Sequence, residues 1–183
     1  MPFLFENTPI ADLKVVEMRR FGDERGFFEE TYKKEEFFAA GICENFVQDN
    51  HSCSNRGVLR GIHFQREPKA QGKLVSVISG AVFDVAVDLR KNSPSFGQWF
   101  GIELTAENKK MLYIPAGFGH AFLALADNTH FCYKCTDYYS KDHDGGVRFD
   151  DPKINIDWKK YFDGELIVSE KDIALPFLSE ANL

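Results

Sequence analysis

The sequence has little of what would tie it to a membrane, a disulfide scaffold or nucleic acid. No apolar run approaches the roughly 20 residues that cross a bilayer. The opening MPFLFENTPIADLK has no basic flank leading into a long apolar stretch. A cytoplasmic protein with no membrane partner is therefore expected. Four cysteines, at positions 43, 53, 132 and 135, stand among 183 residues. Without an export signal they are expected to be reduced thiols rather than a disulfide framework. Basic residues are outnumbered, 22 Lys and Arg against 28 Asp and Glu, for a formal charge of −6. That balance excludes a general affinity for nucleic acid, yet a few Arg and Lys suffice to hold one diphosphate. Internal repeats, low-complexity tracts and linkers are absent, so residues 1–183 are expected to form one domain.

What the chain does have is a hydrophobic fraction of 44% and eighteen Phe, the composition of a globular protein with a ring-lined interior. Its dominant pattern is period-2 alternation in short runs separated by Gly, Pro and Asn or Asp, the signature of antiparallel strands. The runs predict strands over Leu13–Met18, Phe46–Ser52, Val58–Gln65, Leu74–Ile78, Ala81–Leu89, Trp99–Leu104, Met111–Ile114, Ala121–Ala126 and His130–Asp137. Ser79-Gly80 and Asp127-Asn128 lie between runs and tolerate positive φ, so both are expected to be hairpin turns. Helix signals are confined to Lys33–Ala40, ending at Gly41, and to single turns after Thr105 and Ser169. The fold class is thus all-β, a jelly-roll barrel or sandwich with a few short helices, rather than βαβ units.

Strand parity sorts the polar residues, because side chains two apart share a face. Gln48 goes with Asn50, Lys73 with Val75 and Val77, Asp84 with Ala86 and Asp88, His120 with Phe122 and Ala124, and Tyr133 with Cys135 and Asp137. Burying any of these polar groups costs about 1–3 kcal/mol unless a partner or ligand satisfies it. Taken singly, each has a plain structural explanation: a hydrogen-bonded strand histidine, a solvated lysine at a strand end, a packing tyrosine, an aspartate in the first turn of a helix. The C-x-x-C of Cys132 and Cys135 is not expected to bind metal, since residues three apart on a strand point opposite ways. The five histidines are scattered along the chain without close pairing, and no metal site is expected.

As a set, FGDERGFFEETY (21–32), VQDNHS (47–52), GVLRGIHFQ (57–65), QGKLV (71–75), VFDVAVDLR (82–90), IPAGFGHAF (114–122), YKCTDYY (133–139), FDDPKINIDW (149–158) and SEKD (169–172) resemble the dTDP-4-dehydrorhamnose 3,5-epimerase family. The resemblance runs in order over nearly the whole chain. It implies a cupin-like jelly roll, usually a homodimer, acting without metal or organic cofactor on the nucleotide sugar dTDP-4-dehydro-6-deoxy-D-glucose in dTDP-L-rhamnose formation. By motif match it implies His63 as base, Asp172 as the carboxylate that orients it, Tyr133 as acid and Lys73 near the sugar ketone, with Asp84 a candidate partner of that ammonium. Arg25, Glu30, Gln48, Asp49, Asn50, Arg60, His120, Asp144 and Lys171 match substrate contacts, and Tyr139 matches an aromatic stacked on the thymine. Arg60 and His63 are three apart and would face opposite ways on an unbroken strand, so either Gly61 breaks the pleat or Arg60 serves a neighbouring subunit. Two departures, Phe149 where the family commonly has Trp and Gly119 and Ala121 in exchanged order around His120, bear on pocket shape more than on the reaction.

Inversion beside a ketone needs a base on one face, a cation for the enolate and an acid on the other face. A histidine braced by a carboxylate, a pocket lysine and a tyrosine supply these roles. The same residues are compatible with inversion at one centre of a related keto sugar. Readings from other classes are a metal-dependent cupin oxygenase and a non-catalytic sugar-binding barrel.

Overall fold

In the computed structural model, which describes residues 2–183, the chain opens with β1 (Phe3–Asn7) and β2 (Lys14–Met18). A two-stranded ribbon, β3 (Arg20–Asp23) and β4 (Gly26–Glu29), and helix α1 (Lys34–Ala39) follow. The body is β5 (Gln48–Ser54), β6 (Val58–Gln65), β7 (Lys73–Ser79), β8 (Ala81–Asp88), β9 (Trp99–Thr105), β10 (Lys110–Ile114), β11 (Phe118–Ala124) and β12 (Thr129–Cys135). The short β13 (Asp144–Gly146), β14 (Ile167–Val168) and helix α2 (Glu170–Ile173) complete it.

The pairing of the body is nested: β5 with β12, β6 with β11, β7 with β10 and β8 with β9. These couples are shared between two sheets, ordered β1-β2-β10-β7-β12-β5 and β13-β6-β11-β8-β9, with β14 beside β6. This is a cupin-like jelly roll. Between the sheets, Val75, Val77, Leu112, Ile114 and Phe131 meet Val82, Ala86, Leu104, Phe118 and Phe122, alternate residues of their strands. The other face of the second sheet is covered by the C-terminal segment, where Val147, Ile154, Ile156 and Trp158 pack on Leu59, Phe83, Val85 and Leu123. Strands β8 and β11 are consequently buried on both faces, which is why their sequences read as nearly continuous apolar runs. Phe3 and Phe37 lie against Val16, Leu74 and Met111 on the first sheet.

All nine strands expected from periodicity are present, with ends displaced by up to three residues. The turn assignments need correction. Gly80 and Asn128 do have positive φ, 81° and 51°, but neither closes a hairpin. Each lies where the chain leaves one sheet for the other, β7 to β8 and β11 to β12. The two crossings touch, and a Cβ on Gly80 would lie 2.4 Å from Thr129 Oγ1. The helical turn expected after Thr105 is a hydrogen-bonded turn instead. Thr105 Oγ1 accepts from Glu107 N and Asn108 N, and Asn108 Oδ1 accepts from Thr105 N and Lys110 N. The cap chemistry was legible, but Lys109 at φ 57° turns the chain into β10. α1 falls inside the expected Lys33–Ala40, and the turn after Ser169 is α2. β1, β3, β4, β13 and β14 were not anticipated.

Candidate active site

The site is assembled from β6, β7, β11 and β12 and from α2. On β6, His63 Nε2 lies 2.7 Å from Asp172 Oδ1. Ser169 caps α2 by accepting from Asp172 N at 3.1 Å, which fixes the backbone of the aspartate. The second oxygen, Oδ2, accepts from Gly61 N at 3.2 Å. The carboxylate is 4% exposed and the imidazole 34%, so the pair is braced from behind and open in front. Burial pushes the Asp172 carboxyl up, but the hydrogen bond and charge of His63, with donation from Gly61 and Ser169, hold it below the ordinary range. An ionised Asp172 takes the Nε2–H of His63 and leaves Nδ1 as the basic nitrogen.

The relation of Arg60 to His63 is resolved by an irregularity in β6. His120 of β11 pairs with His63, and Phe122 pairs with Arg60. Two residues on β11 thus span three on β6, a bulge at Gly61 and Ile62 that brings Arg60 and His63 to one side. Gly61 has φ 116°, and a Cβ there would meet His120 O at 2.5 Å and Ala121 Cβ at 2.7 Å. Arg60 Nε donates to Ser54 Oγ at 3.1 Å, and Arg60 lines the same cleft.

Opposite His63, His120 Nε2 lies 2.8 Å from Asp84 Oδ2, a carboxylate with no exposed surface whose Oδ1 has no protein partner. Asp84 therefore engages His120, not Lys73 as the sequence reading suggested. The Lys73 ammonium makes no hydrogen bond or ion pair with the described residues. Burial lowers its ammonium pKa, while the charges of Cys135, Asp84 and Asp144 work the other way. Tyr133 projects from the inward face of β12 beside Phe131. Burial and Cys135 raise its phenol pKa, against a smaller pull from Arg60, so the hydroxyl is a proton donor at neutral pH.

These groups line one cleft of about 530 Å³: Arg60, His63, Lys73, His120, Tyr133, Lys171 and Asp172, with Phe122, Phe131, Ser52, Ile167, Val168 and Ser169 among the rest of its wall. Asp144 and Tyr139 reach it indirectly, through Lys171 Nζ to Asp144 Oδ2 at 2.7 Å and Tyr139 Oη to the same oxygen at 3.4 Å. Gln48 and Asn50 share the β5 face of Ser52 and are linked, Nε2 to Oδ1, at 3.1 Å, and Gln48 Oε1 holds Tyr139 N at 2.9 Å. Asp49 points the other way and pairs with Lys134 at 3.0 Å. Arg25 sits on the β3–β4 turn, bound to Asp23, and with Glu30 lies outside this cleft. Parity had already placed Phe122 with His120, and extended by two residues it finds Ser52 from Asn50 and Phe131 from Tyr133. Nothing in the sequence singled out Ile167 and Val168. The histidines are not scattered in space: His63 faces His120, and His51 contacts His130 on the outer side of the first sheet.

The chain matches the family model for dTDP-4-dehydrorhamnose 3,5-epimerase over residues 7–180. It is 51% identical over 170 residues to the protein of that name from Methanothermobacter thermautotrophicus, spanning 93% of this chain and 91% of that one. It is 50% identical over 177 residues to the Salmonella typhimurium protein of the same name, spanning 96% of each. The crystal structure of dTDP-6-deoxy-D-glucose-3,5-epimerase from Legionella pneumophila, in complex with dTDP-4-keto-L-rhamnose, aligns with a TM-score of 0.93 at 46% identity, covering 97% of this chain and 94% of that one.

Proposed function

This chain belongs to the dTDP-4-dehydrorhamnose 3,5-epimerase family, and on that premise we propose that His63 and Tyr133 carry its reaction, inversion of C3 and C5 of dTDP-4-dehydro-6-deoxy-D-glucose. His63 Nδ1 removes the proton on one face, and Asp172 stabilises the imidazolium that forms. The electron pair moves onto the 4-ketone oxygen as an enolate, next to the Lys73 ammonium. Tyr133 delivers a proton to the opposite face, and solvent exchange resets both groups. Because the ketone lies between the two carbons, a small shift of the ring presents each in turn. Arg60 and Lys171 hold the diphosphate, with Gln48, Asn50 and His120 as further contacts and Tyr139 against the base.

The observation that carries this reading is that a carboxylate-braced imidazole, an unpaired ammonium and an elevated phenol line a single cleft. The test is incubation with the keto sugar in heavy water. Wild-type protein incorporates deuterium at C3 and C5, His63→Ala at neither, and Tyr133→Phe loses completed inversion while still releasing protons. Exchange retained by His63→Ala at either carbon removes it as the base.

The working form is a cytoplasmic homodimer. Three exposed phenylalanines, Phe21, Phe27 and Phe28, crowd the β3–β4 ribbon outside both sheets, an apolar surface that favours a partner. The ribbon also carries Arg25, with Glu30 just beyond it, away from the cleft of its own chain. Both contribute to binding when the ribbon reaches the cleft of a second copy.

A further inference from the structure

A second set of ligand-type side chains lies on the face of the first sheet opposite the cleft. Phe131 and Tyr133 point inward, so the alternate residues His130, Cys132 and Lys134 point out, together with Asp49, His51 and Cys53 of the neighbouring edge strand. The register sets Asp49 against Lys134, His51 against Cys132 and Cys53 against His130. Across the diagonal, His51 Nε2 lies 2.9 Å from His130 Nδ1, with ring centroids 5.0 Å apart and planes inclined by 32°. One proton fits in that contact, so one ring donates and the other presents a lone pair. Neither ring has a carboxylate to orient it, because Asp49, the nearest acid on this face, is engaged by Lys134.

We propose that His51 and His130 form a two-imidazole clip for a late first-row divalent cation, Zn²⁺ or Ni²⁺, with water in the remaining coordination positions. An ion about 2.0–2.1 Å from each of two nitrogens sets them about 2.9 Å apart at a right angle and about 3.3 Å apart at the tetrahedral angle. The observed separation lies at the lower end of that span. Among the described residues no third His, Cys, Asp or Glu closes on the pair to complete a cage, so the site is open and its ligands are these two. Cys53 and Cys132 are free thiols on the same face and are the rival ligands.

The proposal is independent of the epimerase reading and is tested by calorimetric titration of chelator-stripped protein with Ni²⁺ and Zn²⁺. One ion binds per chain at neutral pH. His130→Asn and His51→Asn each raise the dissociation constant by about tenfold or more, the loss of about 1.4 kcal/mol of chelation. The Cys53→Ser/Cys132→Ser double variant binds as the wild type does. Unchanged far-ultraviolet circular dichroism and unchanged turnover of His130→Asn show that it is folded, since its side chain faces away from the cleft. Absence of saturable binding to the wild type, retention by His130→Asn, or loss in the thiol variant alone overturns the clip; the last assigns the ion to the cysteines.

Discussion

Lys73 is held in the cleft at a cost to the fold. Burial is the main influence on its ammonium and lowers its pKa below the usual 10.5. The unfolded chain therefore binds the proton more tightly than the native one, and at neutral pH this difference opposes folding. Stability at this residue increases as pH rises toward 10.5. Lys73→Met removes the burdened charge and keeps the stem packed. We expect it to raise Tm by about 2–4 °C, the response of a chain of this size to roughly 1 kcal/mol. Its kcat/KM should fall by about 10²–10³-fold with the loss of the cation proposed for the enolate. Calorimetry paired with turnover checks both, and a lowered Tm contradicts the cost assigned to burial. Residue chemistry was also the part of the site most open to sequence reading. His63, Tyr133, Lys73 and Asp172 are ionisable side chains in segments with recognisable spacing, and they do share a cleft. Asp84 was matched to Lys73, on which its charge does act, but its hydrogen-bond partner is His120, because parity gives a residue's face and not its diagonal neighbour on the adjoining strand.

At the scale of elements, the bulge in β6 brings Arg60 beside His63, and it depends on Gly61. Gly61→Ala requires an L side chain at φ 116° with its Cβ driven against the β11 backbone. We expect a loss of about 2–4 kcal/mol in urea unfolding, together with lower activity, because the repair displaces either Arg60 or His63. The loop between β8 and β9 is held by Asp88, which accepts from Arg90 Nε and Nη2 and from the hydroxyls of Ser93 and Ser95. Burial raises the Asp88 carboxyl, but the bonds from Arg90, Ser93 and Ser95 prevail and hold it at about 2, against 3.8 in the unfolded chain. Its contribution is complete above pH 3.8 and is lost as pH falls through 2. Asp88→Asn should cost about 3–5 kcal/mol at neutral pH, and the gap to wild type should narrow across that acid window. Urea midpoints measured against pH read this directly. Strand existence was legible here because alternation is local. Hairpins were not: Ser79-Gly80 and Asp127-Asn128 reveal positive φ, while the sheet that the next strand joins depends on residues far along the chain. The β3–β4 ribbon escaped notice because Phe21, Phe27 and Phe28 are exposed, so FGDERGFF lacks the apolar–polar alternation of a half-buried strand.

For the whole molecule, the proposed homodimer rests on the three exposed rings of the ribbon. Sedimentation equilibrium should give about twice the 20.9 kDa chain mass, and Phe27→Asp/Phe28→Asp should shift the species toward one chain. A monomeric wild type refutes the assembly. The nesting of β5–β12 around β6–β11, β7–β10 and β8–β9 also fixes an order of difficulty for the folding chain. The innermost couple closes over the short Asp88 loop, whereas Thr129 and Ser54 bracket everything between them. Each wider closure adds only a modest entropic toll, growing with the logarithm of chain enclosed, but none is rewarded until its own ladder forms. Zipping from the inside outward therefore finishes at the couple that carries Tyr133. Catalytic competence is a late event in the maturation of this barrel.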